Sequence, residues 1–587
     1  MADNRSLRLA NLRQLMTRAG FDGWIIGRED MYQGEEVPPG EERLAYLSGF
    51  TGSAGFAVVL GKKAGLFSDG RYSLQMEAQT NTDDWQCNTI PDVDFEDWLT
   101  AVQLNDGFKI GIDGRLVSVS GFEWFERAVL AAGGKLVSHS ENLLDKMWPN
   151  RPQISHGAIW QIPEKSAGKT VAEKLDELGN QLQDFACEAI LITRAEAVNW
   201  LANMRGADLP CTPIKLCFAL FHRRIGLYIF GDYTELLPVL SDTVKAAPLA
   251  NLPALLNTIG EGGLMIEAAS LPKIIYEQIL ESGVKTTQAT CLISKAKACK
   301  NEAELDGFRA AHRRDGVAMV EFLCWLDQKM QKPNAFFFES EIASKLQAFR
   351  QQQDGFIAPS FDTIAGSGPN GAMVHYRAIT GEDRQLRVND ILLLDSGAHY
   401  DCGTTDITRT ITTGAPPAET PIAFTHVLRA HIKLAETKFP KGTTGQQLDA
   451  IARAPLWAAE MDFAHGIGHG VGHMLSVHEG PASISKRGKV ALEAGMVLSN
   501  EPGYYRNGDW GIRIENLVVV NVANNPSFLQ FETITLCPFE RRLIDKSLLN
   551  TDEISWINSY HREVSAALLP YLSVQAKEWL KAACCPL

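Results

Sequence analysis

The 587-residue chain has no CxxC pair, no apolar run of the ~20 residues that cross a bilayer, and no stripe of clustered Lys and Arg. Each absence removes a class. Without a basic stripe the chain has no means of generic nucleic-acid binding, since phosphate contacts need clustered cations, and its net charge of −14 points the same way. Without a long apolar run no membrane-spanning helix is expected. The first twenty residues carry no apolar h-region and no small-residue cleavage site, so no signal peptide is expected. The eleven cysteines are odd in number and scattered from Cys87 to Cys585, which reads as reduced, mostly buried thiols in a cytoplasmic protein. Adjacent Cys584 and Cys585 are expected to be exposed bystanders. The remainder is ordinary for a globular protein, 45% hydrophobic and 21% charged, and long enough for about three domains.

Two stretches in the first half follow one plan. The chain opens on an amphipathic helix with Leu7, Leu9, Leu12 and Leu15 among basic residues. FDGWIIG, AYLSGFTGSAGFAVVL and AGLFSDGRY follow. In the second stretch, a helix from Val171 to Phe185 leads to CEAILIT, VNWLANMRG, KLCFALF and GLYIFGD. Each copy gives helix, strand, a Tyr-Leu or Trp-Leu step, two further apolar runs and a Gly/Asp turn. This is an α/β pattern with mixed strands. Pro149 and Pro152 in MWPNRPQIS mark the first boundary. The second falls near SKAKACKNEAE, where Leu305, Phe308, Ala311, Ala318, Phe322 and Trp325 begin a long helix. The expected domains are 1–148, 149–300 and 301–587.

Chemistry concentrates in the third. ILLLDSGAHY is an apolar strand carrying Asp395, and GTTDITRTI places Asp406 ahead of another. Neighbouring strands would bring both carboxylates to one pocket. HGIGHGVGH holds His465, His469 and His473. VLSNEPGYY ends a strand at Glu501. WGIRIENLVVV alternates as one strand, with Ile512 and Ile514 on one face and Arg513 and Glu515 on the other. The NGD turn at Asn507–Asp509 suggests a hairpin that joins the two glutamates.

Four carboxylates in a core repel one another unless neutralised, and two divalent cations balance them. His469 adds a neutral ligand. Hard, carboxylate-rich donors suit Mn²⁺ or Mg²⁺, with Co²⁺ or Zn²⁺ as alternatives. A two-metal site activates water against a polarised carbonyl. His375 in AMVHYRA and His478 in SVHEGP are candidates for oxyanion stabilisation and proton transfer. GSGPNG at Gly366–Gly371 matches GxGxxG, but Pro369 removes an N–H that a phosphate cradle would use, and no helix start follows.

The ordered set Asp395, Asp406, His469, Glu501 and Glu515 resembles the pita-bread metallopeptidases. VHYRA, LLLDSGAHY, GTTDITRT, HGIGHGVGHMLSVHEGP, SNEPGYY and GIRIEN resemble the three-domain cytosolic aminopeptidase P family. So do YLSGFTGSAG, SDGRY and WLANMRG in the first half and FETITLCPFERRLI near the end. The resemblance implies two related N-terminal α/β domains followed by a pita-bread catalytic domain. It implies hydrolysis of the N-terminal Xaa-Pro bond of peptides, two metal ions, commonly Mn²⁺, and a homodimer. The five residues above would be the ligands, with bridging assigned to Glu515 ahead of Asp406. Glu501 would also accept a proton from the attacking water. His375 and His478 would meet the substrate carbonyl or shuttle a proton, and His465 would line the proline pocket. Arg513 would orient the acidic ligands, and Arg71 would reach the substrate's far end. A prolidase-type dipeptidase is the nearest alternative, disfavoured by the long N-terminal part. A non-catalytic pita-bread binding protein is disfavoured by the complete ligand set. His473 has no role in this scheme. Cys402, four residues before Asp406, offers a thiolate but reads as a bystander.

Overall fold

A computed structural model describes residues 5–153, 157–231, 236, 240, 243–332 and 334–587. The end of the first boundary motif and Asp232 of the second Gly/Asp turn lie outside the described residues. The chain forms two compact units. One comprises Met1–Pro163, Lys169–Leu209 and Ile214–Ile293. The other comprises Glu164–Gly168, Pro210–Pro213 and Ser294–Leu587.

The first unit contains two six-stranded sheets of one topology. In the first, Gly23–Gly27 pairs antiparallel with Phe56–Leu60, which pairs antiparallel with Ala64–Asp69. Gln86–Ile90 then joins in parallel. On its other side Gly23–Gly27 runs parallel to Lys109–Asp113, and that strand to Lys135–His139. The second sheet repeats every step, from Ala189–Ile192 through Phe218–His222, Gly226–Phe230 and Val244–Ala247 on one side. Leu264–Ile266 and Thr286–Gln288 complete the other side in parallel. The Tyr-Leu and Trp-Leu steps both fall in short helices, Arg43–Ser48 and Ala195–Leu201. One difference from the sequence reading concerns the opening helix, Arg5–Ala19. It buries Leu9, Leu12 and Met16, whereas Leu7 is 54% exposed. Positions 9, 12 and 16 share one helical face, and Leu7 points elsewhere.

The second unit carries the candidate site. Its long helix, Glu302–Met330, starts at a capping box. Asn301 Oδ1 accepts from the Glu304 amide at 3.1 Å, and the Glu304 carboxylate accepts from the Asn301 amide at 3.0 Å. Leu305, Phe308, Ala311, Ala318 and Phe322 are buried along it, and Trp325 is partly buried. Two sheets position the chemistry. A three-stranded antiparallel sheet orders Ile364–Ser367, Ile391–Ser396 and Ile407–Thr412. A six-stranded sheet places Val497–Asn500 between Asn516–Val522 and Gly468–Gly470, with Glu479–Ile484 at its edge. ILLLDS is buried at every position, which explains why it reads as a continuous apolar run rather than an alternating one.

WGIRIENLVVV is two strands rather than one. Trp510–Arg513 forms a hairpin with Gly503–Arg506, and Asn516–Val522 belongs to the six-stranded sheet. The chain changes sheet at Ile514–Glu515, and its partner changes sheet at Glu501–Pro502. A single break therefore sets both glutamates side by side. The hairpin closes through Asn507, Gly508 and Asp509, with Gly508 at φ +75°, the left-handed position such a three-residue turn requires. Cys584 also departs from expectation. It is partly buried against the core, and burial pushes its thiol up to about 12, while Cys585 is exposed.

Candidate metal centre

Asp395 and Asp406 arrive on neighbouring strands. Ile391–Ser396 pairs antiparallel with Ile407–Thr412, Asp395 opposite Thr408, and Asp406 lies just before the second strand. Glu515 is fixed over that strand from both ends. Its amide donates to Thr408 O at 3.1 Å, and Thr408 Oγ donates to Glu515 Oε2 at 2.8 Å. Its carbonyl accepts from buried Arg409 at 2.7 Å. His469 comes from Gly468–Gly470 and Glu501 from the end of Val497–Asn500. Ser499 ties these two together: its Oγ accepts from the His469 amide at 2.9 Å and donates to Glu501 Oε1 at 3.0 Å.

The structure brings all five side chains together. One donor atom each from Asp406, His469 and Glu515 falls within a 4.8 Å cluster. His469 Nε2 stands 3.5 Å from Asp406 Oδ2 and 3.4 Å from Glu501 Oε1. Asp395 lies close enough to raise the carboxyl pKa values of Asp406, Glu501 and Glu515.

The electrostatics of the protein alone are unfavourable. Burial, then the charges of Asp395 and Glu501, push Asp406 well above the usual carboxylate range. Burial, then Asp406, Glu501 and Asp395, do the same to Glu515. Burial raises Glu501 to about 7, with Arg513 opposing and Asp395 adding to the shift. Asp395 Oδ1 and Asp406 Oδ1 are buried and accept no hydrogen bond among the described residues. His469 Nδ1 donates to Gly470 O at 2.9 Å, which turns the lone pair of Nε2 toward the carboxylates. Two buried carboxylate oxygens without a hydrogen-bond donor, beside an imidazole whose Nε2 stands near Asp406 Oδ2 and Glu501 Oε1, form a donor set that lacks only positive charge. These residues fit divalent cations, with the oxygen-rich composition hard ions favour.

A second layer holds the donors. Arg513 is buried and donates to Asp395 Oδ2 at 2.6 Å, to Tyr505 Oη at 2.7 Å and to Thr408 Oγ at 3.2 Å. Tyr505 Oη lies 2.8 Å from His465 Nε2, and His465 Nδ1 lies 2.8 Å from Gly466 O. With Nδ1 donating to that carbonyl, Tyr505 donates to His465 and accepts from Arg513. Asp395 and His465 are thereby linked through two intervening side chains. His478 packs edge-on against His469, ring centroids 4.4 Å apart, and its charge acts on Asp406 and Glu501. His375 lies near His465, since a charge on it lowers the His465 pKa.

Three further residues have other surroundings. Arg71 lies in the first unit, where Asp69 grips it through two bonds of 2.9 and 2.8 Å. His473 faces away from the cluster, 2.9 Å from the Cys402 carbonyl and packed on Phe308. The Cys402 thiol is pushed up to about 11, chiefly by burial, which disfavours the thiolate a metal would take.

Tyr505, Ser499 and Thr408 were not singled out from sequence. Tyr505 had a signal. In the hairpin Gly503 pairs with Arg513 and Tyr505 with Gly511, so period two puts Tyr505 on the Arg513 face. Ser499 and Thr408 had none, because short hydroxyl side chains in strands are common.

Comparison with known proteins agrees with this layout. Residues 306–521 match the model of metallopeptidase family M24, and residues 527–587 match the C-terminal region of that peptidase group. Residues 8–147 and 150–304 each match a creatinase/prolidase N-terminal domain. A probable Xaa-Pro aminopeptidase P from Laccaria bicolor is 37% identical over 100% of this chain and 94% of its own length. An X-prolyl aminopeptidase from Caenorhabditis elegans is described as a cytosolic enzyme with a di-nuclear active site. Its crystal structure superposes with a TM-score of 0.93 at 33% identity, covering 99% of this chain and 100% of the other. A prolidase from Pyrococcus horikoshii aligns over 63% of this chain and 100% of its own, with a TM-score of 0.51 at 25% identity.

Proposed function

The chain belongs to metallopeptidase family M24, and on that footing we propose that it is a metalloaminopeptidase that releases the first residue of peptides carrying proline second. The observation that carries the chemistry is the buried cluster of Asp395, Asp406, His469, Glu501 and Glu515 with its orphaned carboxylate oxygens. Those five residues would hold two divalent cations, for which Mn²⁺ is our choice. When bound, the cations supply Lewis-acid polarisation of the scissile carbonyl and favour ionisation of water.

The remaining steps belong to side chains. Glu501 accepts a proton from the attacking water on a carboxylate oxygen kept in place by Ser499. His478, packed on His469, and His375, beside His465, donate to the developing oxyanion or carry a proton to the departing prolyl nitrogen. Arg513 keeps Asp395 oriented, and His465, fixed at both ring nitrogens, offers a rigid wall to the proline ring.

A prolidase-type dipeptidase is the second reading. Against it stands coverage: the aminopeptidase from C. elegans matches almost the whole chain, both N-terminal sheets included, whereas the archaeal prolidase matches under two-thirds. As part of the same proposal, the enzyme works in the cytoplasm as a homodimer. The location is supported by the C. elegans aminopeptidase, which is described as a cytosolic enzyme.

A substrate panel tests the assignment. Mn²⁺-loaded protein is offered an Xaa-Pro-Xaa tripeptide, an Xaa-Pro dipeptide and Ala-Ala-Ala. Cleavage of the prolyl tripeptide at its first bond, with Ala-Ala-Ala untouched, is expected. Cleavage of the dipeptide alone transfers the chain to the prolidase reading.

A further inference from the structure

The glycine-rich segment that mimics a nucleotide motif has no part in the chemistry described so far, yet it leads directly into His375. Ile364–Ser367 ends at Ser367, a 3₁₀ turn covers Gly368–Ala372, and Met373 and Val374 then lead to His375 and Tyr376. One face of this turn lies on the hairpin. A Cβ at Gly511 would stand 1.7 Å from Gly371 O, so the two backbones touch where no side chain fits. Val374 O also accepts from Arg513 at 3.4 Å.

The other face is held by one buried carboxylate. Glu339, at the start of the helix Glu339–Arg350, has no exposed surface. Its Oε1 accepts from the Ser367 amide at 2.6 Å and the Ser367 hydroxyl at 2.7 Å. Its Oε2 accepts from Asn370 Nδ2 at 2.8 Å, Tyr376 Oη at 2.7 Å and the Arg384 amide at 3.0 Å. Arg384 in turn donates to Ser367 Oγ at 2.8 Å and pairs with Asp390. Four of the five donors on Glu339 belong to residues 367–376, the segment that carries His375. Tyr376, the immediate neighbour of His375, donates its hydroxyl to no other acceptor among the described residues.

We propose that Glu339 is a positioning residue for the hydrolytic reaction, fixing His375 through Tyr376 and the turn of residues 367–372. A carboxylate suits this task better than a carboxamide. Five donors converge on it, and a carboxylate offers only lone pairs, whereas a carboxamide would turn its own N–H groups toward some of them. These bonds hold the segment on the face opposite the hairpin and so help to set where the imidazole stands. An ångström of displacement at a catalytic group is enough to cost orders of magnitude in rate. The proposal rests on the reading of His375 as a catalytic residue.

The test is a mutant cycle on the Mn²⁺-loaded enzyme with an Xaa-Pro-Xaa tripeptide. Glu339→Gln, Tyr376→Phe and His375→Ala are made singly, and Tyr376→Phe is also combined with His375→Ala. For each, kcat, KM and bound metal are measured. Tyr376→Phe and Glu339→Gln should lower kcat by roughly tenfold to a hundredfold, with KM and metal content near wild type. In the His375→Ala background, Tyr376→Phe should cost nothing further, because the residue it orients is gone. Tyr376→Phe keeps the ring and carries the test if Glu339→Gln does not fold. Wild-type kcat in Tyr376→Phe beside a slow His375→Ala overturns the inference alone. Equal losses from Tyr376→Phe in both backgrounds overturn it too, as the mark of a merely structural bond. Unchanged kcat in His375→Ala removes the catalytic reading of that histidine, and the inference with it.

Discussion

Arg513 shows how much one side chain contributes at the centre. Its guanidinium donates to Asp395, Tyr505, Thr408 and the Val374 carbonyl, with almost no surface exposed. Arg513→Met keeps much of the volume and removes every donor. Loss of such an outer partner typically weakens metal binding by about 10–100-fold, and that is the expected change in Mn²⁺ affinity. Titration of metal-free protein measures it, and wild-type affinity in the variant would mean that Asp395 needs no orienting partner. In sequence, alternation puts Arg513 on the Glu515 face, but its role as the residue that orients the acidic ligands comes from the family resemblance alone. Spacing could not show its reach to Asp395, 118 residues earlier, which depends on a hairpin packing over a separate sheet. His473 shows the opposite limit. It looks identical to its neighbours in HGIGHGVGH, yet its bond to the Cys402 carbonyl is created by tertiary packing.

At the scale of elements, the site lies where strands change partners. Asn500 pairs with Asn516 in the six-stranded sheet, and Gly503 pairs with Arg513 in the hairpin, with Glu501 and Glu515 in the gap. A turn motif in sequence announced the hairpin but not the break, because both halves of WGIRIENLVVV are equally strand-like. A buried ion cluster secures the neighbouring edge strand, Glu479–Ile484, directly after His478. Glu479 pairs with Lys297 at 2.7 Å and accepts from Lys300 at 2.5 Å, all three side chains nearly inaccessible. The two ammonium groups, ahead of opposing burial in their combined effect, hold the Glu479 carboxyl below its ordinary value. Glu479→Gln leaves two buried cations without their counter-charge and should destabilise the protein by about 3–5 kcal/mol. Urea unfolding measures this. A loss under about 1 kcal/mol would show that the lysines relax to water, as surface pairs do.

The whole molecule repeats one sheet plan twice and then devotes its last half to the site. The repeat is readable because the strands keep their order between turn residues, although their lengths differ, five residues in Lys109–Asp113 against three in Leu264–Ile266. The pairing directions were not readable, since they depend on which strands meet. Stability of the whole should report on the carboxylate cluster. Glu501 rises from 4.5 to about 7 in the folded, cation-free protein, and Asp406 and Glu515 rise as well. The folded state therefore binds protons more tightly than the unfolded chain. The stability this contributes is full below about pH 4.5 and is lost as pH rises through the folded pKa values. Cations replace those protons. The gain in Tm on adding Mn²⁺ should accordingly grow between about pH 5 and pH 8. A pH-independent gain would show that the cluster does not exchange protons for metal.

The central claim is that this cluster binds two divalent cations and that turnover depends on them. Stepwise addition of Mn²⁺ to metal-free protein, with bound metal and prolyl-tripeptide cleavage followed together, addresses it most directly. The account predicts no cleavage in the stripped protein, full activity as binding reaches about two ions per chain, and no activity in Asp406→Ala at any loading. Full cleavage by stripped protein, or by Asp406→Ala without bound metal, would contradict it.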